Sequence, residues 1–187
     1  MNLFEPNFMS RVRRLSQGKR SFLLDVMEQT RQDCRKIEEN PLYQRYPFAR
    51  HPWENRAILE RQERELNLAL QMGSIAMWLV MDAPRKRSPE QIKTRLREID
   101  RLVMHHGYYD MYNAITAKIE GTIFDEIPAP SDEAVPQDKH IEYESRLRGY
   151  IRLSGAEREH FIAEMKRPLK TKYKGVRSVQ SARQRGD

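Results

Sequence analysis

The stretch LNLALQMGSIAMWLVM, Leu66 to Met81, decides the fold because apolar residues dominate nearly every side of it. Its few polar residues recur at steps of three and four and therefore share one helical face: Asn67, Gln71 and Ser74. A membrane span needs about 18 or more consecutive apolar residues, and this run is shorter and interrupted. We therefore predict a central helix from Asn55 to Met81, solvated at its start and buried at its end. Its polar face indicates either a polar gap between helices or an oligomer interface.

The composition around this helix favours an all-α protein. Glycine is sparse, with 8 among 187 residues, whereas the helix-favouring residues Glu, Gln, Arg, Leu and Met are plentiful. The single cysteine, Cys34, lies in an apolar helical stripe, which predicts a buried structural thiol and excludes an internal disulfide. The first residues lack the uninterrupted apolar core of a secretory signal, so we expect a cytoplasmic protein that does not engage a membrane.

Two segments precede the central helix. Residues 1–20 are a basic N-terminal arm, either docked as an amphipathic segment or frayed. Ser21 is the expected N-cap of the first long helix, which ends at Asn40 because Pro41 follows. The loop from Asn40 to Trp53 carries three prolines and four aromatic residues, and we expect it to pack over the bundle.

A capping box begins the helix that follows the central one. Ser88 is the cap, Pro89 takes the first helical position and Gln91 is the reciprocal partner. A fourth helix is predicted from Tyr108 to Ile123, with large apolar residues along one side. Residues 21–127 thus form the predicted bundle core.

Proline and acidic residues dominate the next stretch, and we interpret 128–139 as an extended linker. A C-terminal helical pair is predicted over 140–167, its second helix capped by Ser154 with Glu157 three residues on. The apolar stripes of the two helices are Tyr143, Leu147, Tyr150 and Ile151, and Phe161, Ile162 and Met165. Residues 168–187 have no periodicity with which to bury a face, which predicts a basic tail that is disordered when unbound. The predicted architecture is an irregular helical bundle around one central buried helix, with a C-terminal helical hairpin and a basic tail.

Charge is segregated along the chain. The net charge of +7 equals that of Lys166 to Asp187 alone, which holds eight basic residues and one acid, and residues 1–20 carry five basic residues and one acid. The middle, 21–165, is therefore net acidic, at −4. This pattern predicts that the two ends act electrostatically while the middle folds.

The basic tail is the strongest functional signal, because its cations can follow a phosphate backbone and its tyrosine can stack on a base. We predict that it binds nucleic acid or another polyanion through Lys166, Arg167, Lys170, Lys172, Tyr173, Lys174, Arg177, Arg183 and Arg185. The alternatives are a solubilising terminus and a contact with an acidic protein surface.

The pair at 140–167 also has the length of a helix-turn-helix, which would place Ala156 to Arg167 in a major groove.

No motif in the chain predicts catalysis. The adjacent His105 and His106 would point about 100° apart on a helix, which does not suit a metal site. The acids Glu60, Glu63 and Glu65 alternate with arginines, as on a solvated helix face. No glycine-rich phosphate loop or nucleophile elbow is present in the sequence. We therefore expect a protein that is not an enzyme and needs no metal or cofactor.

The run Ile75 to Leu79, followed by Ser88 to Gln91, resembles the core of small helical alphaproteobacterial proteins that help regulate the degradation of a cell-cycle regulator. The resemblance covers a small part of the chain and implies an adaptor role. A protein–protein adaptor or regulatory subunit is accordingly the alternative to nucleic-acid binding. Its contact surface would be the aromatic loop Leu42 to Trp53 or the polar face of the central helix.

Overall fold

Helices make up the fold of this protein in its computed structural model, which describes residues 3–44, 52–106 and 135–167. The helices in these ranges are α1 (Pro6–Arg14), α2 (Gln17–Glu38), α3 (Pro41–Gln44), α4 (Pro52–Met81), α5 (Pro89–His106), α6 (Gln137–Ile151) and α7 (Gly155–Lys166). The described ranges contain no strand, so the all-α prediction is confirmed. The predicted fourth helix, linker residues 128–134, loop residues 45–51 and the tail lie outside them.

The central helix is α4, which packs chiefly against α2 and α6 and has α5 alongside. Its residues from Ile75 to Val80 are all buried, whereas its first turns are exposed, as predicted. Gly73 allows α2 to come close, because a Cβ at this position would lie 2.4 Å from Thr30 Oγ1 and 2.8 Å from Leu147 Cδ1. A glycine inside a buried helix is therefore a packing requirement here.

The described part of the N-terminal arm, residues 3–20, is docked in the same core. Phe8 and Val12 of α1 are fully buried. The guanidinium of Arg146, from α6, lies 4.2 Å from the centre of the Phe8 ring, which adds a cation–π contact. Of the two alternatives for the arm, the amphipathic docked helix is the one that the structure contains.

The prediction that Ser21 caps the first long helix is wrong. The helix α2 begins at Gln17, and its cap is Ser16, whose hydroxyl accepts a hydrogen bond from the Lys19 amide at 3.4 Å. Ser21 is an exposed residue inside α2. The break between α1 and α2 falls at the extended residue Leu15. No proline or glycine marks it, so the usual stop signal is missing.

The C-terminal pair packs into the bundle and begins earlier than predicted. Because α6 starts at Gln137, the last three residues of the predicted linker are helical, with Asp138 in the first turn, where a negative charge favours the helix. Both predicted capping boxes are present, at Ser88 and at Ser154. Of the predicted apolar stripes, five residues are buried, and Ile151 and Ile162 are partly buried. The buried ones are Tyr143, Leu147, Tyr150, Phe161 and Met165.

Candidate nucleic-acid interface

Cations from both ends of the chain meet at one corner of the bundle, where α1 ends, α2 begins and α7 ends. We call this surface the basic corner and define it by Arg20, Lys166 and Arg167, which lie together, with Arg14 and Lys19 on the adjoining ends of α1 and α2. Arg20 Nη1 donates a hydrogen bond to the backbone oxygen of Arg167 at 3.0 Å, across 147 positions of sequence. The fold therefore gathers positive charges that the sequence keeps far apart.

In the described part of the chain, Glu164 is the acid that forms ion pairs at this surface, and both of its partners are arginines. Glu164 forms an ion pair with Arg13, and its Oε1 lies 2.5 Å from Arg167 Nη1. The Glu164 side chain is 14% exposed, whereas that of Arg167 is 69% exposed. Lys166 is exposed as well. Glu164 thus neutralises only part of the basic corner, where Arg14 and Lys166 are exposed and Lys19 and Arg20 are partly buried.

A cavity of about 410 Å³ lies beside these cations. Its walls come from the first turns of α2 and the last residue of α7: Gln17, Arg20, Ser21, Leu24 and Lys166. The beginning of a helix carries partial positive charge, which adds to the side-chain charges that line the cavity. Phosphate groups are attracted by this combination.

The structure places two of the predicted site residues, Lys166 and Arg167, in the basic corner. The other predicted residues lie outside the described ranges, and their role stays a prediction: Lys170, Lys172, Tyr173, Lys174, Arg177, Arg183 and Arg185. The sequence interpretation missed Arg14, Lys19 and Arg20 as members of the same surface. The charge excess of residues 1–20 is the signal that points to them.

The surface of α7 argues against a helix-turn-helix. Phe161 and Met165 are buried against the bundle, so this face of α7 is occupied. Two exposed acids, Glu157 and Glu159, lie on the helix. Because a recognition helix must approach phosphates as it enters the major groove, these carboxylates make α7 poorly suited to that role.

A second polar cluster joins α1, the end of α4 and α6. Arg11 contacts Asp82 Oδ1 at 2.6 Å and Glu142 Oε1 at 3.3 Å, and Lys139 Nζ lies 2.9 Å from Glu142 Oε2. The Tyr143 hydroxyl donates to Asp82 Oδ2 at 2.6 Å. Burial alone would raise the pKa of Asp82, but the hydrogen bond from Tyr143 and the charge of Arg11 lower it below its ordinary value. The cluster therefore holds helices together through compensated charges.

The polar face of α4 meets a histidine of α6. Ser74 Oγ lies 3.0 Å from His140 Nδ1 and 3.2 Å from the backbone oxygen of His140, and His140 Nε2 lies 3.5 Å from Glu144 Oε2. The order serine, histidine, glutamate resembles a hydrolase triad. Ser74 is completely buried, however, so no substrate can reach its hydroxyl. Ser74 thus makes a polar contact between α4 and α6, while Asn67 on the same face of α4 is exposed.

The remaining candidate groups offer no further site within the described residues. Cys34 is buried as predicted, and burial raises the pKa of its thiol to about 11. The described ranges hold no group of three or more His, Cys, Asp or Glu side chains placed to bind a metal ion. None of the helices in these ranges offers an apolar run long enough for a bilayer crossing.

No known protein family, curated protein or solved structure matches the chain.

Proposed function

We propose that this protein binds nucleic acid, without catalysis and in the cytoplasm, through the basic corner and the tail of residues 168–187 that continues from it. The observation that carries the proposal is the contact between Arg20 and Arg167, which sets the cations of the N-terminal arm beside the start of the tail. A phosphate backbone that follows the tail then continues onto the folded body. Each phosphate that the protein neutralises releases a counterion, which drives binding. Tyr173 supplies a ring on which a base can stack.

The number of phosphate contacts determines how binding responds to salt. If about five tail cations alone meet duplex DNA, the logarithm of the binding constant falls against the logarithm of the salt concentration with a slope of about −4.5. Three more contacts from the basic corner would steepen this slope to about −7. The slope therefore distinguishes a surface that includes the basic corner from a tail that acts alone.

Charge reversal in the full chain tests the proposal. In Arg20→Glu/Lys166→Glu, binding should weaken at every salt concentration between about 50 and 200 mM, and the slope should become shallower by about 2. The matched control is Arg85→Glu/Lys86→Glu, which reverses two exposed cations between α4 and α5. Fluorescence anisotropy with a duplex DNA, a single strand and an RNA of one sequence measures both variants, and circular dichroism checks their folding.

Three outcomes would refute the proposal or part of it. If the two variants have the same slope, the basic corner is not part of the surface. If the native chain binds none of the three nucleic acids at low salt, nucleic-acid binding is wrong. If it binds heparin but no nucleic acid, the cations serve another polyanion.

Two exposed apolar side chains favour an adaptor as the second candidate function. Leu42 in α3 and Trp53 at the start of α4, which bound the predicted aromatic loop, are 58% and 66% exposed. Exposed aromatic and large aliphatic side chains can serve as anchors of a protein-binding surface. A partner isolated with the native chain should lose most of its affinity for Leu42→Ser/Trp53→Ser and keep it for Ile141→Ser, whose side chain is 60% exposed on α6. Equal affinity for both variants would exclude this surface.

A further inference from the structure

An open groove of about 750 Å³ lies between α2, α4 and α5. Its floor consists of apolar side chains that are only partly buried, so apolar surface faces the opening: Val26, Leu68, Ala69, Met72 and Leu96. From Glu65 to Ala76, the α4 residues that line it, the floor extends about 16 Å at about 1.5 Å per residue. This length matches about three turns of a helix.

Acidic residues outnumber basic ones along the rim of this groove. The lining residues include Asp25, Asp33, Glu65 and Asp100, against Lys36 and Lys93. Lys36 lies 3.8 Å from Asp33, and Lys93 lies over the ring of Phe22 at 5.6 Å. Asp25 and Asp100 are exposed on the two walls, α2 and α5. The rim therefore presents negative charge on both sides of an apolar floor, and we call this surface the acidic groove.

We propose that the acidic groove binds one amphipathic helix of a protein partner, with an apolar stripe at i, i+3, i+4 and i+7 and flanking Lys or Arg residues. The apolar stripe covers the exposed floor, as in other helix-in-groove complexes. The flanking cations meet Asp25 on one wall and Asp100 on the other. The opposite charges steer the partner and determine its orientation.

The charges of the chain itself favour a partner over a second copy or an internal segment. The predicted apolar stripe of residues 108–123 carries Asp110 and Glu120 against Lys118, so its net charge has the same sign as the rim. In a second copy, α1 is docked in the core through Phe8 and Val12, and residues 168–187 have no apolar periodicity. An amphipathic helix from a second copy would therefore come from residues 21–165, whose net charge is −4. Like charges placed opposite one another disfavour both occupants.

Selection from a library of helical peptides tests this proposal. The immobilised full chain is panned against displayed peptides of about four turns, and enriched peptides are measured by fluorescence anisotropy. Enriched peptides should carry the apolar stripe with basic flanks. Their affinity should fall about tenfold or more for Asp25→Lys/Asp100→Lys, which reverses two exposed charges and spares the core. The control Glu63→Lys/Glu159→Lys makes the same charge change at exposed positions outside the groove and should change affinity less than about twofold.

Four outcomes would overturn the proposal. The first is a selection that enriches no such peptides, and the second is enriched peptides that bind Asp25→Lys/Asp100→Lys as tightly as the native chain. The third is binding that emerges only after Tyr112, Ile115 and Ile119 are replaced by serine, because the chain itself would then be the occupant. The fourth is peptide binding that competes with a dimer detected by light scattering, because a second copy would then be the occupant.

Discussion

The substitution Glu28→Gln should destabilise the fold, because Glu28 is the carboxylate that pairs with a buried arginine between α2 and α6. Arg31 is 8% exposed. Its Nη2 donates to Glu28 Oε1 at 2.6 Å and its Nε to Oε2 at 3.0 Å, while the Tyr150 hydroxyl donates to Oε2 at 3.0 Å. Arg31 Nη1 has no hydrogen-bond partner in the described part of the chain. The guanidinium therefore depends on Glu28 for compensation of its charge.

The size of the loss follows from the ionisation of Glu28. The hydrogen bond from Arg31 lowers the pKa of Glu28 from 4.5 to about 2. At about 1.4 kcal/mol per pKa unit, this corresponds to about 3.4 kcal/mol. That figure is an upper limit, because the Glu28 side chain is 32% exposed and solvent screens its charge. We expect Glu28→Gln to lower the free energy of unfolding by about 2 kcal/mol at neutral pH.

The pH dependence of the loss has a definite sign. The pKa of Glu28 is lower in the folded than in the unfolded chain, so its contribution is complete above pH 4.5 and is lost as the pH falls toward about 2. Urea unfolding of the native chain and of Glu28→Gln should therefore give curves that converge over this range. Adding Arg31→Met to Glu28→Gln should recover most of the stability at neutral pH, because an apolar side chain needs no counter-charge.

A surface pair provides the matched control for Glu28→Gln. Glu60 also pairs with an arginine on its own helix, but its side chain is 54% exposed and that of Arg56 is 82% exposed. Glu60→Gln should cost less than about 0.5 kcal/mol. If Glu28→Gln costs no more than Glu60→Gln, or if its cost does not change with pH between about 2 and 4.5, the reasoning about Arg31 is refuted.

Three further predictions concern packing, capping and reactivity. Gly73→Ala should destabilise the fold by about 1–2 kcal/mol in thermal unfolding, although alanine favours helices. The control Gly18→Ala should cost nothing, because its Cβ would meet nothing within 4 Å. If both substitutions stabilise the fold, the packing argument for Gly73 is wrong. Ser88→Ala should cost about 1 kcal/mol in urea unfolding and Ser88→Thr much less, because threonine keeps a hydroxyl that can accept from the Gln91 amide and alanine does not. Burial raises the pKa of Cys34 to about 11, so a thiol-specific dye should react only after unfolding, and rapid labelling of the native chain would disprove the buried site.

Local patterns predicted most of the described helices correctly. The capping box at Ser88 and the apolar stripe through Tyr143 and Leu147 depend on residues three to four positions apart, and such spacing is determined by helix geometry alone. The prediction that Ser21 caps the first long helix is wrong because residue type alone does not distinguish two candidate caps. Both Ser16 and Ser21 have residue types that cap helices, and only the path of the chain at Leu15 distinguishes them.

Contacts between distant residues could not be predicted in the same way. The Ser74 hydroxyl meets His140, 66 positions later, and Arg20 meets Arg167, 147 positions later. Each contact depends on which helix faces pack together, and the same apolar stripes can be buried by many different helix pairings. The charge excess of each chain end was visible in the sequence, but that the excesses form one surface follows from the packing of α7 against α1 and α2.

The helix α2 carries charges of both proposed binding surfaces. Arg20 belongs to the basic corner, and Asp25 and Asp33 belong to the rim of the acidic groove, 5 and 13 residues further along the same helix. At about 1.5 Å per residue, Asp25 is about 7.5 Å and Asp33 about 20 Å from Arg20 along the axis, against a Debye length of about 8 Å at physiological salt. Asp33 is therefore largely screened from Arg20, whereas Asp25 is not. The two surfaces are thus electrostatically coupled at their near edge and independent at the far end of the groove.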